Sequence, residues 1–384
     1  MFSFLLPLIY VCFISLGLPD SLLGSAWPVL HEDIGVPMAY AGIISAVISA
    51  GTILSSLVCD RAVRWLGSGK ITAISTAMTA AALLGFSFSR SFPMLVLWSI
   101  PYGLGAGGVD AVLNNYVALH YKAQHMSWLH CFWGLGASVS PYIMSFALIG
   151  LEDWSKGYLI VSVIQAAITL LIFLSLPMWK KTVEDKEDSV GKALSMKEIF
   201  AIPGAKSCFV TFFAYCALEI SASLWASSYL VQNRGVSPET ASAFASLFYI
   251  GITVGRGVNG FLAMRFSDKV LIRVGLCIIG AGIALLVLPF HSAFALAGFV
   301  VMGLGCAPVY PCIIHMTPDT FGRDRSQAMI GIQMAFAYIG FLITPPLFGF
   351  IAECTTIALL PALLGALLIL MVLMHERVVN KTKK

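Results

Sequence analysis

Apolar residues fill the chain in long stretches, each near the length that crosses a hydrocarbon core, with short polar breaks between them. No water reaches such a core, so each stretch is read as an α-helix that pairs its own backbone groups. Twelve helices are expected, over 4–30, 38–58, 70–89, 93–118, 126–149, 157–178, 207–231, 241–264, 270–290, 293–317, 327–351 and 355–375. The opening run MFSFLLPLIYVCF has no basic leader and continues past signal-peptide length, so it is expected to be a retained first helix. One long polar segment, from Met178 to Lys206, interrupts the series. It divides the chain into a six-helix bundle over 1–178, a linker over 179–206 and a second six-helix bundle over 207–384 with a short tail.

Composition agrees with this pattern. The 384 residues are 59% hydrophobic and 11% charged, with a mean hydropathy of +0.89, far outside the range of soluble domains. The chain is therefore read as an all-α, multi-pass membrane protein. Of 23 Lys and Arg, 19 fall in the loops and tail on one side of the expected helices. The positive-inside rule makes that side cytoplasmic and puts both termini there. Nine cysteines are scattered without a C-x-x-C pair, which argues against a disulfide framework or a zinc site. Gly103-x-Gly105-x-x-Gly108 has the spacing of a dinucleotide fingerprint but sits inside an apolar helix with no strand before it. Small residues at that spacing instead let helices approach closely. No catalytic order, metal spacing or ATP-binding motif is present, so neither an enzyme nor a cofactor is expected, and energy must come from an ion or solute gradient.

The two halves repeat weakly at a period of about 200 residues: GLG at 103–105 recurs at 303–305, Gly51 matches Gly251, and Asp20 matches Glu219. Such repetition marks transporters that rock one half against the other around a site near the midplane.

Charged residues inside apolar helices carry the candidate chemistry. Asp110, in the stretch GLGAGGVDAVLNNYVALHY, is costly there and points to proton and substrate handling, unless backbone donors or Asn114 and Asn115 satisfy it permanently. Asp20 follows Gly17 and Pro19, whose local break frees backbone donors that could satisfy it. Glu219 and Arg256 are either a structural ion pair or a pair linked to substrate. Three acids against one arginine leave an excess of negative charge, which hydrocarbon tolerates only if some acids take up protons. Asn114, Asn115 and His130 offer the donors and acceptors that bind hydroxyl groups, and His130 could instead relay a proton or bond a helix carbonyl. His315 is a further candidate of that kind. Trp27, Tyr116, Trp128, Trp225 and Tyr229 could stack on the apolar face of a sugar.

Several segments resemble the major facilitator superfamily and, within it, the fucose permease-like sugar:proton symporters. DRAVRWLGSGK at 60–70, between helices two and three, looks like a degenerate form of the superfamily's loop motif, with MRFSDKVLIR at 264–273 as its partner. The resemblance implies that Asp60, Arg61 and Arg64 clamp the halves in one state. DAVLNNYV at 110–117 resembles the permease segment with an acid four positions before an Asn, and Asp20 in GLPDSLLGSAWP matches the family's other functional acid. LHCFWGLGASVSP resembles the sugar-contacting stretch, with His130 where the permease has Gln. YCALEISASLW and FYIGITVGRGVNG resemble family members with a Glu on helix seven and an Arg on helix eight. The implied fold lines a central cavity with Asp20, Asp110, Glu219 and Tyr310.

The leading expectation is a secondary transporter importing a monosaccharide or similar polyhydroxylated solute with protons. The expected partners are that solute, protons and membrane lipid, without nucleic acid, in a monomer of a bacterial inner membrane. Many aromatic and Met residues keep an exporter of amphipathic compounds open as a second reading, and a sugar sensor that does not transport is a third.

Overall fold

The computed structural model describes residues 4–37, 40–179, 194–236, 238–288 and 291–382, without the side chains of residues 28 and 238–246. Fourteen α-helices follow in chain order among the described residues: α1 Leu5–Asp20, α2 Leu22–Asp33, α3 Ala41–Leu66, α4 Ser68–Phe88, α5 Phe92–His120, α6 Ala123–Gly150 and α7 Trp154–Ser175, then α8 Met196–Ala201, α9 Ala205–Arg234, α10 Pro238–Leu262, α11 Asp268–Val287, α12 Ser292–Phe321, α13 Ser326–Cys354 and α14 Leu360–Lys381. Among the described residues, eleven segments are long and apolar enough to cross a membrane. The expected span at 241–264 corresponds to α10, where part of the helix carries no described side chains.

Three departures from the expected elements have local causes. The first apolar run is not one helix, because Pro19 lies in the last turn of α1 and the chain turns at Ser21 before α2 continues to Asp33. The segment read as a loop at 60–70 is mostly helix. Asp60 and Arg64, one turn apart, pair at 3.2 Å on α3, and the connection to α4 shrinks to Gly67, whose φ of 81° suits a residue without a side chain. Third, the linker is described only at its ends, since 180–193 lie outside the described residues. At its far end Ser195 and Glu198 form a reciprocal cap that starts the short helix α8.

The chain separates into two compact units, residues 1–116 with 129–193, and residues 117–128 with 194–384. The turn of the α5–α6 hairpin thus belongs to the second unit, a division not drawn from the sequence. Trp27, Phe86, Tyr102, Trp154 and Tyr158 anchor an apolar core in the first unit. In the second, α9 packs against α10, α12, α13 and α14. Large apolar side chains such as Ile149, Leu174 and Phe350 lie exposed, as expected where lipid replaces water.

Glycines make the closest helix contacts, and they do so twice. A methyl group added to Gly103 of α5 would overlap the carbonyl of Ile48 on α3, and one added to Gly303 of α12 would overlap the carbonyl of Phe248 on α10. Each member of the second contact lies 200 residues beyond its counterpart. Gly105 meets Ser75 O in the first unit, and Gly305 meets the Gly275 carbonyl in the second. The apparent dinucleotide fingerprint is therefore a packing surface, with Gly103 and Gly107 toward α3 and Gly105 and Gly108 toward α4.

Candidate functional site

Two polar centres lie in the first unit. At the first, α1 crosses α6 so closely that side chains on Gly17 and Gly136 would overlap the carbonyls of Trp133 and Ile14 respectively. The Ser21 hydroxyl adds a hydrogen bond to Ala137 O at 2.7 Å. This crossing brings the Trp133 indole N–H to within 2.9 Å of Asp20 Oδ2. From α5, the Tyr102 hydroxyl donates to Asp20 Oδ1 at 3.2 Å. Side chains, not the backbone donors freed by the helix break, therefore hold this carboxylate. Asp20 is nonetheless exposed, so it is both held and accessible.

The second centre is buried. Asp110 is 5% exposed and Asn114 fully buried, and Asn114 Nδ2 donates to Asp110 Oδ1 at 2.8 Å one turn away on α5. Because that amide nitrogen serves Asp110, Asn114 Oδ1 must accept, and His130 Nε2 from α6 donates to it at 3.0 Å. The Phe13 ring meets the imidazole edge-on at 5.3 Å. Asp110, Asn114 and His130 thus form one hydrogen-bonded line across two helices, with Asp20 about two turns away along the direction of α5. Asn115 is fully buried on the same helix.

The second unit holds a third centre. Arg256 on α10 and Glu219 on α9 are 3% and 8% exposed, and they face each other at 3.7 Å. The guanidinium carbon stands 5.9 Å from the centre of the Tyr310 ring, a cation–π geometry. Tyr215 donates to the Cys306 carbonyl at 3.0 Å beside them, and Phe212 packs on Tyr310 with ring centres 4.7 Å apart.

A family model for this class of chain matches twice, over residues 9–206 and 207–384. The chain belongs to the Major Facilitator Superfamily. An uncharacterized transporter of that superfamily from Yersinia pestis is 25% identical, over 93% of this chain and 92% of its own. The glucose/mannose transporter GlcP of Bacillus subtilis is 22% identical over 80% and 78%. Among solved structures, the fucose:proton symporter FucP of E. coli, in its outward conformation, superposes with a TM-score of 0.82 at 15% identity, covering 99% of each chain. Family and fold are those of transporters, and the protein is a multi-pass membrane protein.

Not every expected site residue of this facilitator joins a polar centre. Trp27 is 3% exposed and lies in the apolar core, tilted against His31. Trp128 fills the notch at Gly260 and donates to Gly257 O at 3.3 Å. Trp225 lies over Gly349, and its N–H bonds Pro345 O at 3.3 Å. The last two indoles are committed to backbone carbonyls. Tyr116 packs on Trp179, and Tyr229 bonds Leu286 O at 3.0 Å. In the loop motif, Asp60 is buried and holds Arg64, whereas Arg61 is exposed. His315 bonds Asp268 Oδ2 at 2.7 Å. The sequence reading missed Tyr102 and Trp133 as partners of Asp20. Trp133 lies three residues after His130 in the stretch LHCFWGLGASVSP, and Tyr102 carried no local signal.

Proposed function

We propose that this facilitator is a secondary transporter that imports a monosaccharide or a similar polyhydroxylated solute together with protons, by alternating access. The observation that carries this reading is the buried line Asp110–Asn114–His130 beside the accessible carboxylate of Asp20. One acid is open to a proton donor and the other is screened from water, so the two differ in access while sharing one unit. Carboxylates inside a membrane are retained where protons or solutes pass. Amide and imidazole groups alternate as donors and acceptors, which suits vicinal hydroxyls. The names of GlcP and FucP, a glucose/mannose transporter and a fucose:proton symporter, support the same solute class.

In this reading Asp20, Asp110 and Glu219 handle protons. Asn114, Asn115, His130, Tyr310 and Arg256 meet the solute, and Asp60, Arg61 and Arg64 act in gating. The protein works as a monomer in a bacterial inner membrane, with both termini cytoplasmic. The test is uptake of a panel of labelled monosaccharides into proteoliposomes driven by a pH gradient. One sugar is expected to accumulate, and Asp20→Asn and Asp110→Asn are each expected to abolish accumulation. Full pH-driven uptake by both variants would end the proton reading. Tight sugar binding without counterflow would make the protein a sensor, and export of amphipathic dyes without sugar uptake would make it an exporter.

A further inference from the structure

Proline has no amide hydrogen, so Pro19 leaves the Ser15 carbonyl, one turn earlier on α1, without its helical donor. Gln165 of α7 takes that role through Nε2, which donates to Ser15 O. The assignment of the amide follows from its partner, since only nitrogen can donate to a carbonyl. Gln165 is 1% exposed, and its Oε1 has no partner among the described residues. Gln165 lines a small space together with Ser15, Thr76, Thr79 and Tyr102 that gives about 10 Å³ to a water centre. That is room for about one water molecule.

The lining has a surplus of acceptors. The hydroxyl protons of Thr76 and Thr79 go to the carbonyls of Thr72 and Thr76, both at 2.8 Å. The Tyr102 proton goes to Asp20 at 3.2 Å. One amide proton of Gln165 goes to Ser15 O. What remains in the lining is mostly lone pairs, beside the Ser15 hydroxyl and the second Gln165 amide proton, so its occupant must donate as well as accept.

We propose that this pocket binds one water molecule that donates to Gln165 Oε1 and Tyr102 Oη, which makes Gln165 a positioning residue for Asp20. The proposal rests on the proton-handling reading above. A water that donates to the Tyr102 oxygen polarises its O–H and strengthens the bond to Asp20, since chained hydrogen bonds reinforce one another. Gln165 also fixes the Ser15 carbonyl, and with it the turn of α1 that presents Asp20. The groups around Asp20 and Tyr102 are few. Among the described residues, α7 brings Tyr158 beside Tyr102, α6 brings the neutral Trp133 N–H, and α4 brings Thr76 and Thr79 to the lining of the space. His31, Glu32 and Asp33 lie at the far end of α2, and Asp110 lies two turns along α5.

The experiment is an infrared pH titration of the full-length protein in liposomes, with the Asp20 carboxyl band assigned by difference from Asp20→Asn. Gln165→Leu and Thr79→Val are each expected to move the midpoint of that band toward alkaline pH by about half a pH unit. Thr79→Val alters the pocket without touching Ser15, so it carries the test if Gln165→Leu does not fold. Pro19→Ala restores the amide donor to Ser15. In that background, Gln165→Leu is expected to lower the folding equilibrium constant about fivefold less than in the native chain. Equal losses in both backgrounds, or an Asp20 band that neither variant moves, would overturn the proposal while leaving Asp20 as a proton site. An added sodium ion that displaces the titration in the native chain but not in Thr79→Val would overturn it in favour of a cation. Failure of any band to titrate with Asp20 would instead overturn the proton-handling reading itself.

Discussion

Removing Arg256 while leaving Glu219 in place is the sharpest perturbation of the second unit. Both groups are nearly inaccessible, at 3% and 8% exposure, and 3.7 Å apart. Arg256→Met keeps most of the apolar stem but strands the carboxylate in a site nearly closed to solvent. Breaking a buried pair from one side costs about 3–5 kcal/mol. Adding Glu219→Gln removes the stranded charge, and replacing both partners of such a pair is commonly near neutral, so the double variant is expected to return to within about 1 kcal/mol of the native protein. The assay pairs reversible SDS unfolding in micelles with sugar uptake in proteoliposomes. Unfolding is expected to show a large loss in Arg256→Met and recovery in Glu219→Gln/Arg256→Met. Uptake is expected to stay below about a tenth of native in both, a loss of more than about 1.4 kcal/mol of transition-state stabilisation, because the proposed function has the guanidinium held against Tyr310 meet the solute. A double variant that is stable and transports normally would refute that role and leave the pair purely structural. Native stability in Arg256→Met alone would refute the burial argument.

Three further outcomes follow from the geometry. Asn114→Leu removes the donor to Asp110 and the acceptor for His130 together, and is expected to cost about 1–3 kcal/mol in the same unfolding assay and to abolish pH-driven uptake. Gly103→Leu forces a side chain into the Ile48 carbonyl, and is expected to cost at least about 1–3 kcal/mol as overpacking, seen as a lower melting temperature, with Gly303→Leu matching it in the other unit. At the start of α7, Asp153 accepts from the Ser155 amide at 2.8 Å. Partial burial pushes its carboxyl up, but the Ser155 hydrogen bonds and the nearby charges of Arg90 and Lys156 outweigh that and hold it below the ordinary carboxylate range. A lowered folded value means that the cap contributes at neutral pH and is lost as pH falls through that value, below about pH 4. Hydrogen exchange over the first turn of α7 is expected to speed up there in the native chain, and to be fast at every pH in Asp153→Ala.

Much of the architecture was legible because hydrocarbon leaves the backbone few choices, and the 200-residue repeat in glycine positions is the same repeat that the helix contacts obey. The line Asp110–Asn114–His130 was partly legible too: a spacing of four on one helix puts Asn114 beside Asp110 in any α-helix. What sequence could not supply was the crossing of separate helices. Pro19 announces an orphaned carbonyl at Ser15, yet nothing local says that the missing donor comes from Gln165, 150 residues away. Tyr102 and Trp133 reach Asp20 only because α5 and α6 pass α1 at those levels. The packing of the aromatics was not legible for the opposite reason: an indole suits a sugar face and a glycine notch equally well, and Trp128 and Trp225 lie in notches. Asp60 and Arg64 carried the spacing of a helical pair, a signal outweighed by the resemblance of their segment to a loop motif.

The glycine seams have a thermal consequence. A contact between two backbones, each already ordered within its own helix, freezes no rotamers when it forms and releases none when it breaks. At Gly103 against Ile48, and at Gly303 against Phe248, the attraction comes at almost no cost in side-chain entropy. Such joints do not soften through side-chain loosening as temperature rises. Mobility within each unit is thereby left to the places where flexible or hydrogen-bonded side chains stand between helices, and those places are the polar centres.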